Sequence, residues 1–291
     1  MGTCAYWGNK EEVEKLKITY LGTGAAEGIP AVFCHCNICK YARTYKGKNI
    51  KTRSQSLIDD NLLIDFGPDT YMHSLRYEIE LANIGHCLIT HTHDDHLYVN
   101  DLKARRRSRA NLTPGTPPLH VYGSRGVEEE LSPDENGFIT KDKSVQFHKL
   151  TAENTYCILD YEVTPLHATH GSNEPFIYAI RKEGKTILYG HDTDCFAEDT
   201  WVFLKNNKMY FDLVSLDCTE GKKHIDYPGH MNFERMVILC NRMHDERIID
   251  DKTIIVANHI SHNGLVSHDE AESIGESLGF IVAFDGLEIE I

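Results

Sequence analysis

Short apolar runs, separated by polar or glycine-containing turns, recur along most of the chain and predict β-strands. Residues 18–21 form one such run and lead into a glycine-rich turn, Gly22-Thr23-Gly24. Residues 55–58 and 62–65 predict a hairpin whose turn is Asp60-Asn61. Further strands are predicted at residues 87–90, 120–122, 163–166, 177–180, 186–189, 213–216 and 253–257.

Helical spacing of apolar positions occurs in two segments of the second half. Phe233, Val237, Cys240 and His244 recur at helical intervals, and residues 270–278 repeat the pattern. Strands mixed with helices over 291 residues predict an α/β sandwich. No low-complexity tract, internal repeat or Gly/Ser/Pro-rich linker divides the sequence, so we expect one domain over residues 1–291.

The composition is that of an acidic globular protein. Hydrophobic residues make up 41% of the chain, and 30 Lys+Arg against 44 Asp+Glu give a net charge of −14. This charge argues against a general nucleic-acid binder and against anionic membrane surfaces. Residues 1–17 contain no hydrophobic signal-like stretch, and no apolar run approaches the roughly 20 residues that span a bilayer. We therefore expect a cytoplasmic protein with no membrane partner.

The densest group of metal-binding side chains is the run His91-Thr92-His93-Asp94-Asp95-His96, directly after the predicted strand 87–90. The His-x-His spacing places two imidazoles on the same side of an extended segment, where both can reach one metal ion. Asp95 and His96 lie beyond a turn and can bind a second ion. This mixture of nitrogen and oxygen ligands suits Zn, Mn or Fe and does not distinguish them.

Three other predicted strands are each followed within a few residues by a good metal ligand. These ligands are His170 after residues 163–166, Asp192 after 186–189, and His259 after 253–257. Strands that share one sheet edge would bring these groups together, and the carboxyl edge of a sheet is where α/β enzymes place their chemistry. The sequence therefore predicts a dinuclear metal site.

In these residues the chain resembles the metallo-β-lactamase superfamily, whose signature is an HxHxDH run followed by a His, an Asp and a final His. The match follows the family's order over nearly the whole chain. The resemblance implies a metallo-β-lactamase fold, which is a four-layer αβ/βα sandwich. It also implies that one ion is held by His91, His93 and His170 and the other by Asp95, His96 and His259, with Asp192 bridging them.

The nine cysteines are an odd number, which argues against a fully paired disulfide framework. Cys34, Cys36 and Cys39 lie within six residues of one another. The other cysteines are scattered and are expected to be mostly small buried hydrophobes. A tight cluster of thiols favours a metal site instead.

The N-terminal region resembles a narrower group, the PhnP-type cyclic phosphate phosphodiesterases. The resemblance covers residues 21–30, the Cys-x-Cys-x-x-Cys run, residues 42–43, and matches at 163–166, 217–218, 259–262 and 284–289. It implies a structural zinc in a loop at about residues 33–40, held by Cys34, Cys36, Cys39 and His262. Such a closed Cys₃His set suits a structural role. The alternatives are His35 as the fourth ligand and a reactive thiol cluster without metal.

A dinuclear site would bind and deprotonate a bridging water to give hydroxide at neutral pH. Asp192 would hold the two ions together, and Asp95 would bind metal and orient the nucleophile or accept its proton. His230 stands just before a predicted helix whose N-terminus favours anions, so it is placed to contact phosphate and protonate the leaving group. The PhnP-like proteins have a functional His at this corresponding place. The alternatives are His224 in this role, or His230 as a capping or surface residue.

Two further features are candidates for supporting roles. Asp217 ends the predicted strand 213–216 and is expected to orient a metal-bound His through its other ring nitrogen. Residues 103–109, from Lys103 to Arg109, are the one strongly basic run in the chain. This run either binds the anionic end of a substrate or forms a solvated helix face.

The sequence thus favours a metal-dependent hydrolase, a phosphodiesterase of small cyclic or diester phosphates, with two divalent ions (Zn, Mn or Fe) and one structural zinc. Another hydrolase of this fold is an alternative, such as a tRNA 3′-processing endonuclease or a lactone or thioester hydrolase. The net charge argues against the nucleic-acid substrate. A non-catalytic, PqqB-like cofactor-pathway protein is a further alternative, against which the full ligand set argues. The superfamily resemblance is compatible with a homodimer.

Overall fold

The computed structural model describes residues 15–132, 141–224 and 227–291. Within these ranges fourteen strands follow one another along the chain. They are β1 (Lys17–Gly22), β2 (Gln55–Ile58), β3 (Leu62–Ile64), β4 (His86–Leu88), β5 (Leu119–Gly123), β6 (Val145–Lys149), β7 (Tyr156–Ile158), β8 (Tyr161–His167), β9 (Phe176–Lys182), β10 (Lys185–Gly190), β11 (Leu213–Asp217), β12 (Ile254–Asn258), β13 (Ile281–Val282) and β14 (Leu287–Glu290).

Seven α-helices connect these strands in the same described ranges. They are α1 (Asn37–Tyr45), α2 (Thr70–Arg76), α3 (Val99–Leu102), α4 (Arg125–Leu131), α5 (Glu198–Asn206), α6 (Phe233–Asp245) and α7 (His268–Leu278). None of the helices in the described part of the chain combines the length and the apolar character that crossing a bilayer requires.

The strands form two seven-stranded sheets in the described chain, ordered β14-β1-β2-β3-β4-β5-β6 and β13-β12-β11-β10-β9-β8-β7. In the first sheet β3 to β6 run parallel, and in the second β10 to β13 run parallel. The remaining neighbours are antiparallel. Each sheet therefore has a parallel half, whose carboxyl ends leave loops at one edge.

Along each strand, successive side chains point to opposite faces of the sheet. Leu62 and Ile64 point into the core between the sheets, whereas Leu63 packs on the outer side. In the second sheet, Tyr189 faces the same central core and Leu188 faces outward. The outer clusters include residues of α3 and α4 on the first sheet and of α5, α6 and α7 on the second. The layers are thus helix, sheet, sheet, helix, which confirms the predicted αβ/βα sandwich.

Local chemistry explains where the last two helices begin and end. The Asn232 side chain accepts a hydrogen bond from the Arg235 N–H at 2.8 Å, which caps α6. Ser267 and Glu270 form a reciprocal capping box at the start of α7, and Gly279 ends that helix with φ 75°. These two helices confirm the helical spacing in the sequence.

The structure also corrects several boundaries. Predicted strand 87–90 ends at Leu88, because the N–H of Thr90 donates to the Asp65 side chain instead of continuing the ladder. Predicted strand 253–257 is shifted by one residue to Ile254–Asn258. The predicted zinc loop at about 33–40 is only partly a loop, since α1 begins at Asn37. On α6, Met236, Leu239 and Met243 are buried beside Phe233 and Cys240, whereas His244 is exposed.

Candidate metal centre and its pocket

Three histidines from two loops form the first group of candidate metal ligands. His91 and His93 follow β4, and His170 follows β8. The Nε2 atom of His91 lies 3.0 Å from Nδ1 of His93, and Nε2 of His170 lies 3.1 Å from the same Nδ1 atom. One ring nitrogen of each lies within 4.8 Å of the others, so the three could hold one ion.

A second group contains Asp95, His96 and His259, again within 4.8 Å of one another. Asp192 connects it to the first group. The Asp192 Oδ2 atom lies 2.8 Å from Nε2 of His96 and 3.0 Å from Nε2 of His259. The other oxygen, Oδ1, lies 3.7 Å from Nε2 of His170. The structure therefore brings all seven predicted ligands together, with Asp192 between the two groups.

Three atoms of this array, His96 Nε2, Asp192 Oδ2 and His259 Nε2, are buried and have no partner in hydrogen-bond geometry. Unpaired polar atoms in the interior are costly, so a cluster of them at short distance indicates that something else binds there. Nitrogen and carboxylate donors that converge in this way fit a divalent cation.

The electrostatics of the second group favour a cation as well. Burial opposes ionisation of Asp192, but His259 and His96 outweigh it and hold the pKa of Asp192 well below its usual value. Burial likewise lowers the pKa of His96, yet Asp95 and Asp192 raise it above its usual value. Two buried carboxylates thus attract positive charge to this point.

Backbone strain marks the same loops. Asp65, Asp192 and His259 adopt left-handed backbone conformations with φ of 68°, 48° and 60°. Such conformations are unfavourable for residues with a side chain and are concentrated at functional sites. Position 67 also requires glycine, because the Asp95 backbone approaches it closely. A Cβ atom there would lie 2.0 Å from the Asp95 carbonyl oxygen.

Hydrogen bonds from residues outside the two ligand groups orient the histidine rings. The Nδ1 atom of His96 lies 2.7 Å from Oδ2 of Asp65, and Nδ1 of His259 lies 2.8 Å from the Thr219 hydroxyl. Nδ1 of His170 lies 3.1 Å from the Gly229 carbonyl. Asp65 and Thr219 were not predicted in these roles. Their only sequence signal is a polar residue just after a strand, at the ends of β3 and β11.

Asp217 lies closer to His230 than to the metal-binding candidates. Its Oδ2 atom is 3.0 Å from Nδ1 of His230 but 3.6 Å from Nδ1 of His259. Burial opposes protonation of His230, but Asp217 and Asp192 outweigh it and raise the pKa of His230 to about 9. Asp217 reaches His259 through the Thr219 hydroxyl, which donates to its Oδ2 atom at 2.9 Å.

These groups border an open pocket of about 540 Å³. The candidate ligands His93, Asp95, His170, Asp192 and His259 line it and form what we call its floor. The other lining residues, His230 among them, form what we call its wall. His224, the alternative to His230, is exposed and does not line this pocket.

The cysteine cluster forms a separate site. Sγ of Cys34 and Sγ of Cys36 each lie 3.6 Å from Nδ1 of His262, and Cys39 completes a group within 4.8 Å. His35 is exposed and is not part of this group. The backbone N–H of Cys36 lowers the pKa of Cys34, which favours the thiolate form that binds metal. The cluster joins the start of α1 to the loop after β12.

The basic run does not reach the pocket. Its Arg105 guanidinium donates to the carbonyls of Leu81, Ala82 and Pro117 at 2.9 to 3.4 Å. Arg105 also borders a different, apolar cavity of about 200 Å³. None of residues 103–109 lines the pocket beside the metal-binding candidates. The structure thus assigns Arg105 to loop packing.

A family model described as the beta-lactamase superfamily domain matches residues 60–249, about two thirds of the chain. The chain belongs to this family, and its fold is the metallo-β-lactamase fold. A solved structure described as a new diphosphatase from the PhnP family superposes with a TM-score of 0.74 and 21% sequence identity. The superposition covers 96% of this chain and 98% of that one.

Two curated relatives are described as other kinds of enzyme, and each aligns with this chain over only part of its own length. The chain is 23% identical over 283 residues to an octanoyltransferase of Porphyromonas gingivalis, covering 94% of this chain and 51% of that protein. It is 29% identical over 117 residues to a ribonuclease Z of Bacillus cereus, covering 39% of this chain and 32% of that protein. The chain therefore spans about half or less of the length of these relatives.

Proposed function

We propose that the protein is a metal-dependent hydrolase that cleaves small phosphodiesters, including cyclic ones. The observation that carries the proposal is the convergence of buried, unpaired His and Asp atoms at the floor of the pocket, beside His230 in its wall. Family membership supports the hydrolase class, and the PhnP-family neighbour, described as a diphosphatase, is consistent with a phosphate-containing substrate.

The ligands of the two proposed ions follow from the two groups described above. One ion would be held by His91, His93 and His170, the other by Asp95, His96 and His259, with Asp192 shared. The donors suit Zn, Mn or Fe. Two such ions, when bound, acidify a water molecule so that it becomes a nucleophile at neutral pH. A third ion, a structural zinc, would be held by Cys34, Cys36, Cys39 and His262.

His230 is proposed as the general acid. Asp217 occupies its Nδ1 side at 3.0 Å, so Nε2 is the nitrogen left for a substrate in the pocket. The contact with Asp217 also favours the protonated imidazole, which can donate to the departing oxygen. Asp95 is proposed to orient the attacking water in addition to binding metal.

A panel of substrates tests the reaction class. The metal-loaded protein is incubated with bis-p-nitrophenyl phosphate, a five-membered cyclic phosphodiester, p-nitrophenyl acetate, a lactone, a thioester and a precursor tRNA. We expect turnover of the first two. The Asp192→Asn variant is the control, since it should lose this turnover and thereby exclude a contaminating enzyme. Hydrolysis confined to the acetate, lactone, thioester or RNA would contradict the proposal, as would inert metal-loaded protein.

A further inference from the structure

Outside the floor, the described lining of the pocket contains His230, which is paired with Asp217, and three other acidic or basic side chains: Glu27, Glu220 and Lys223. Glu220 is buried, yet its charge is matched within the wall. Nζ of Lys223 lies 3.0 Å from its Oε2 atom, and the Tyr227 hydroxyl donates to Oε1. Lys223 is therefore already engaged by a carboxylate.

Glu27, which also lines the pocket, is held without a cation. Its Oε2 atom accepts from the Ser261 hydroxyl at 3.3 Å, and Oε1 accepts from Nδ2 of Asn263 at 3.2 Å. Across residues 15–132, 141–224 and 227–291, no Lys or Arg side chain comes within ion-pair distance of it. Two neutral donors position this carboxylate and leave its negative charge unmatched.

The backbone around Glu27 is fixed, so the position of the carboxylate is fixed as well. Nε of Arg53 donates to the Ala26 carbonyl at 2.9 Å, and the N–H of Ala25 donates to the Ile260 carbonyl at 3.3 Å. These contacts tie the glycine-rich turn to the loop that carries His259 and Ser261. Glu27 thus has a defined place in the lining of the pocket that His230 also borders.

We infer that Glu27 is a specificity-determining residue that selects phosphodiesters whose non-leaving arm ends in an ammonium group. This inference rests on the proposed function. With the phosphate beside the candidate metal ligands and the leaving group near His230, the other arm extends along the rest of the pocket lining, which includes Glu27. An unmatched carboxylate there attracts a cation, binds a neutral hydroxyl less well and repels a second anion.

Three substrates with the same leaving group test this inference. They are p-nitrophenyl phosphodiesters whose second arm is 2-aminoethyl, 2-hydroxyethyl or carboxymethyl. We expect kcat/KM to fall in that order, by about tenfold or more between the first and the last, because each step removes or reverses a charge contact. The difference should lie mainly in KM and should shrink when ionic strength rises from about 0.01 M to about 1 M, which shortens the screening length from about 30 Å to about 3 Å.

Glu27→Gln keeps the shape of the side chain and removes the charge, and the residue is exposed, so folding should not change. We expect the variant to lose the preference for the aminoethyl arm, so that kcat/KM becomes nearly equal for the aminoethyl and hydroxyethyl substrates. Glu162→Gln, at an exposed glutamate on β8, is the matched control and should keep the preference.

An equal kcat/KM for all three substrates, a preference for the carboxymethyl arm, or a preference that survives Glu27→Gln would each overturn the inference and leave the proposed function standing. If none of the three substrates is hydrolysed, the proposed function is contradicted as well.

Discussion

At the scale of single residues, Asp217 links the pocket wall to the candidate ligands. The carboxylate is fully buried, accepts from the N–H of Met231 at 2.8 Å and lies 3.0 Å from Nδ1 of His230. It also accepts from the Thr219 hydroxyl, which lies 2.8 Å from Nδ1 of His259. One carboxylate thus fixes the ring orientation of the proposed acid and supports the ring of a proposed metal ligand.

His230→Ala should separate protonation of the leaving group from generation of the nucleophile. An alkoxide leaving group needs a proton in the transition state, so we expect kcat for alkyl or cyclic phosphodiesters to fall by about 10²–10⁴-fold. The loss for p-nitrophenyl esters should be much smaller, because p-nitrophenolate leaves without a proton. Steady-state kinetics with metal content measured in parallel provide the check. Equal losses on both substrates would show that His230 binds phosphate instead, and no loss on either would contradict its role as the acid.

At residue scale, the sequence predicted every side chain that the structure brings to the two candidate groups, because each follows an apolar strand in the family's order. Asp65 and Thr219 were not predictable in the same way. Their roles depend on which ring nitrogen they face, and that is decided by the pairing of β3 with β4 and of β11 with β12. The position of Asp217 beside His230 likewise depends on where the chain returns before α6.

At the scale of elements, the cysteine cluster joins two segments that are far apart in sequence. Cys36 caps α1 by accepting from the N–H of Cys39, and His262 lies in a short 3₁₀ turn that follows β12. An ion at this point would cross-link the N-terminal loop to the loop that carries His259.

Cys36→Ser and His262→Ala should each reduce the zinc content by one equivalent per chain and lower the melting temperature, while the remaining folded protein still turns over substrate. Cys195→Ser is the matched control, because Cys195 is only partly buried and lies outside the cluster. Metal analysis, thermal unfolding and kinetics on the same samples give the comparison. Variants that keep full stability but lose all activity would reverse the structural assignment of this site.

A buried histidine on α2, His73, is expected to make the stability of the protein depend on pH. Nδ1 of His73 lies 2.6 Å from Oε1 of Gln55, and Nε2 lies 2.7 Å from the Thr52 hydroxyl. Burial lowers the pKa of His73 to about 4. Since an unfolded histidine titrates near about 6.5, the unfolded state binds more protons between these values, and the free energy of unfolding should fall as pH falls from about 6.5 towards about 4.

His73→Gln removes this titration. We expect the loss of stability between about pH 7 and about pH 5 to be smaller in the variant by about 1–2 kcal/mol, since one pKa unit corresponds to about 1.4 kcal/mol. Urea denaturation at the two pH values measures the difference. His268, whose pKa burial also lowers to about 4, remains in both proteins, so its contribution cancels in the comparison. The same pH dependence in both proteins would refute the role of His73.

The longer strands and the last two helices were predictable from periodicity, and shorter elements were not. β13 contains only two residues, and α3 only four, too few for a period to show. α5 did carry a signal that was overlooked, with acidic residues in its first turn and buried Trp201 and Leu204 one turn apart. β14 was missed although Leu287 and Ile289 alternate with glutamates, and only its pairing with β1 makes it an edge strand.

At the scale of the whole molecule, the two parallel half-sheets place the carboxyl ends of β4, β10, β11 and β12 along one edge of the sandwich. Candidate ligands follow β4, β10 and β12, Asp217 and Thr219 lie at the end of β11, and β8 supplies the loop with His170. The central core contains side chains from both sheets, from Leu16 to Ile289. We propose on this basis that the chain forms one unit, in which the metal centre depends on contacts between distant parts of the sequence.

The central claim is that two ions at this edge drive phosphodiester hydrolysis. The most direct measurement is a titration of chelator-treated protein with Zn²⁺ or Mn²⁺, in which metal bound per chain and turnover of bis-p-nitrophenyl phosphate are recorded together. We predict no turnover in the chelated protein, and turnover that rises until about two equivalents have bound beyond the structural zinc. Full activity in metal-free protein, or no activity after about two such equivalents have bound, would contradict the claim.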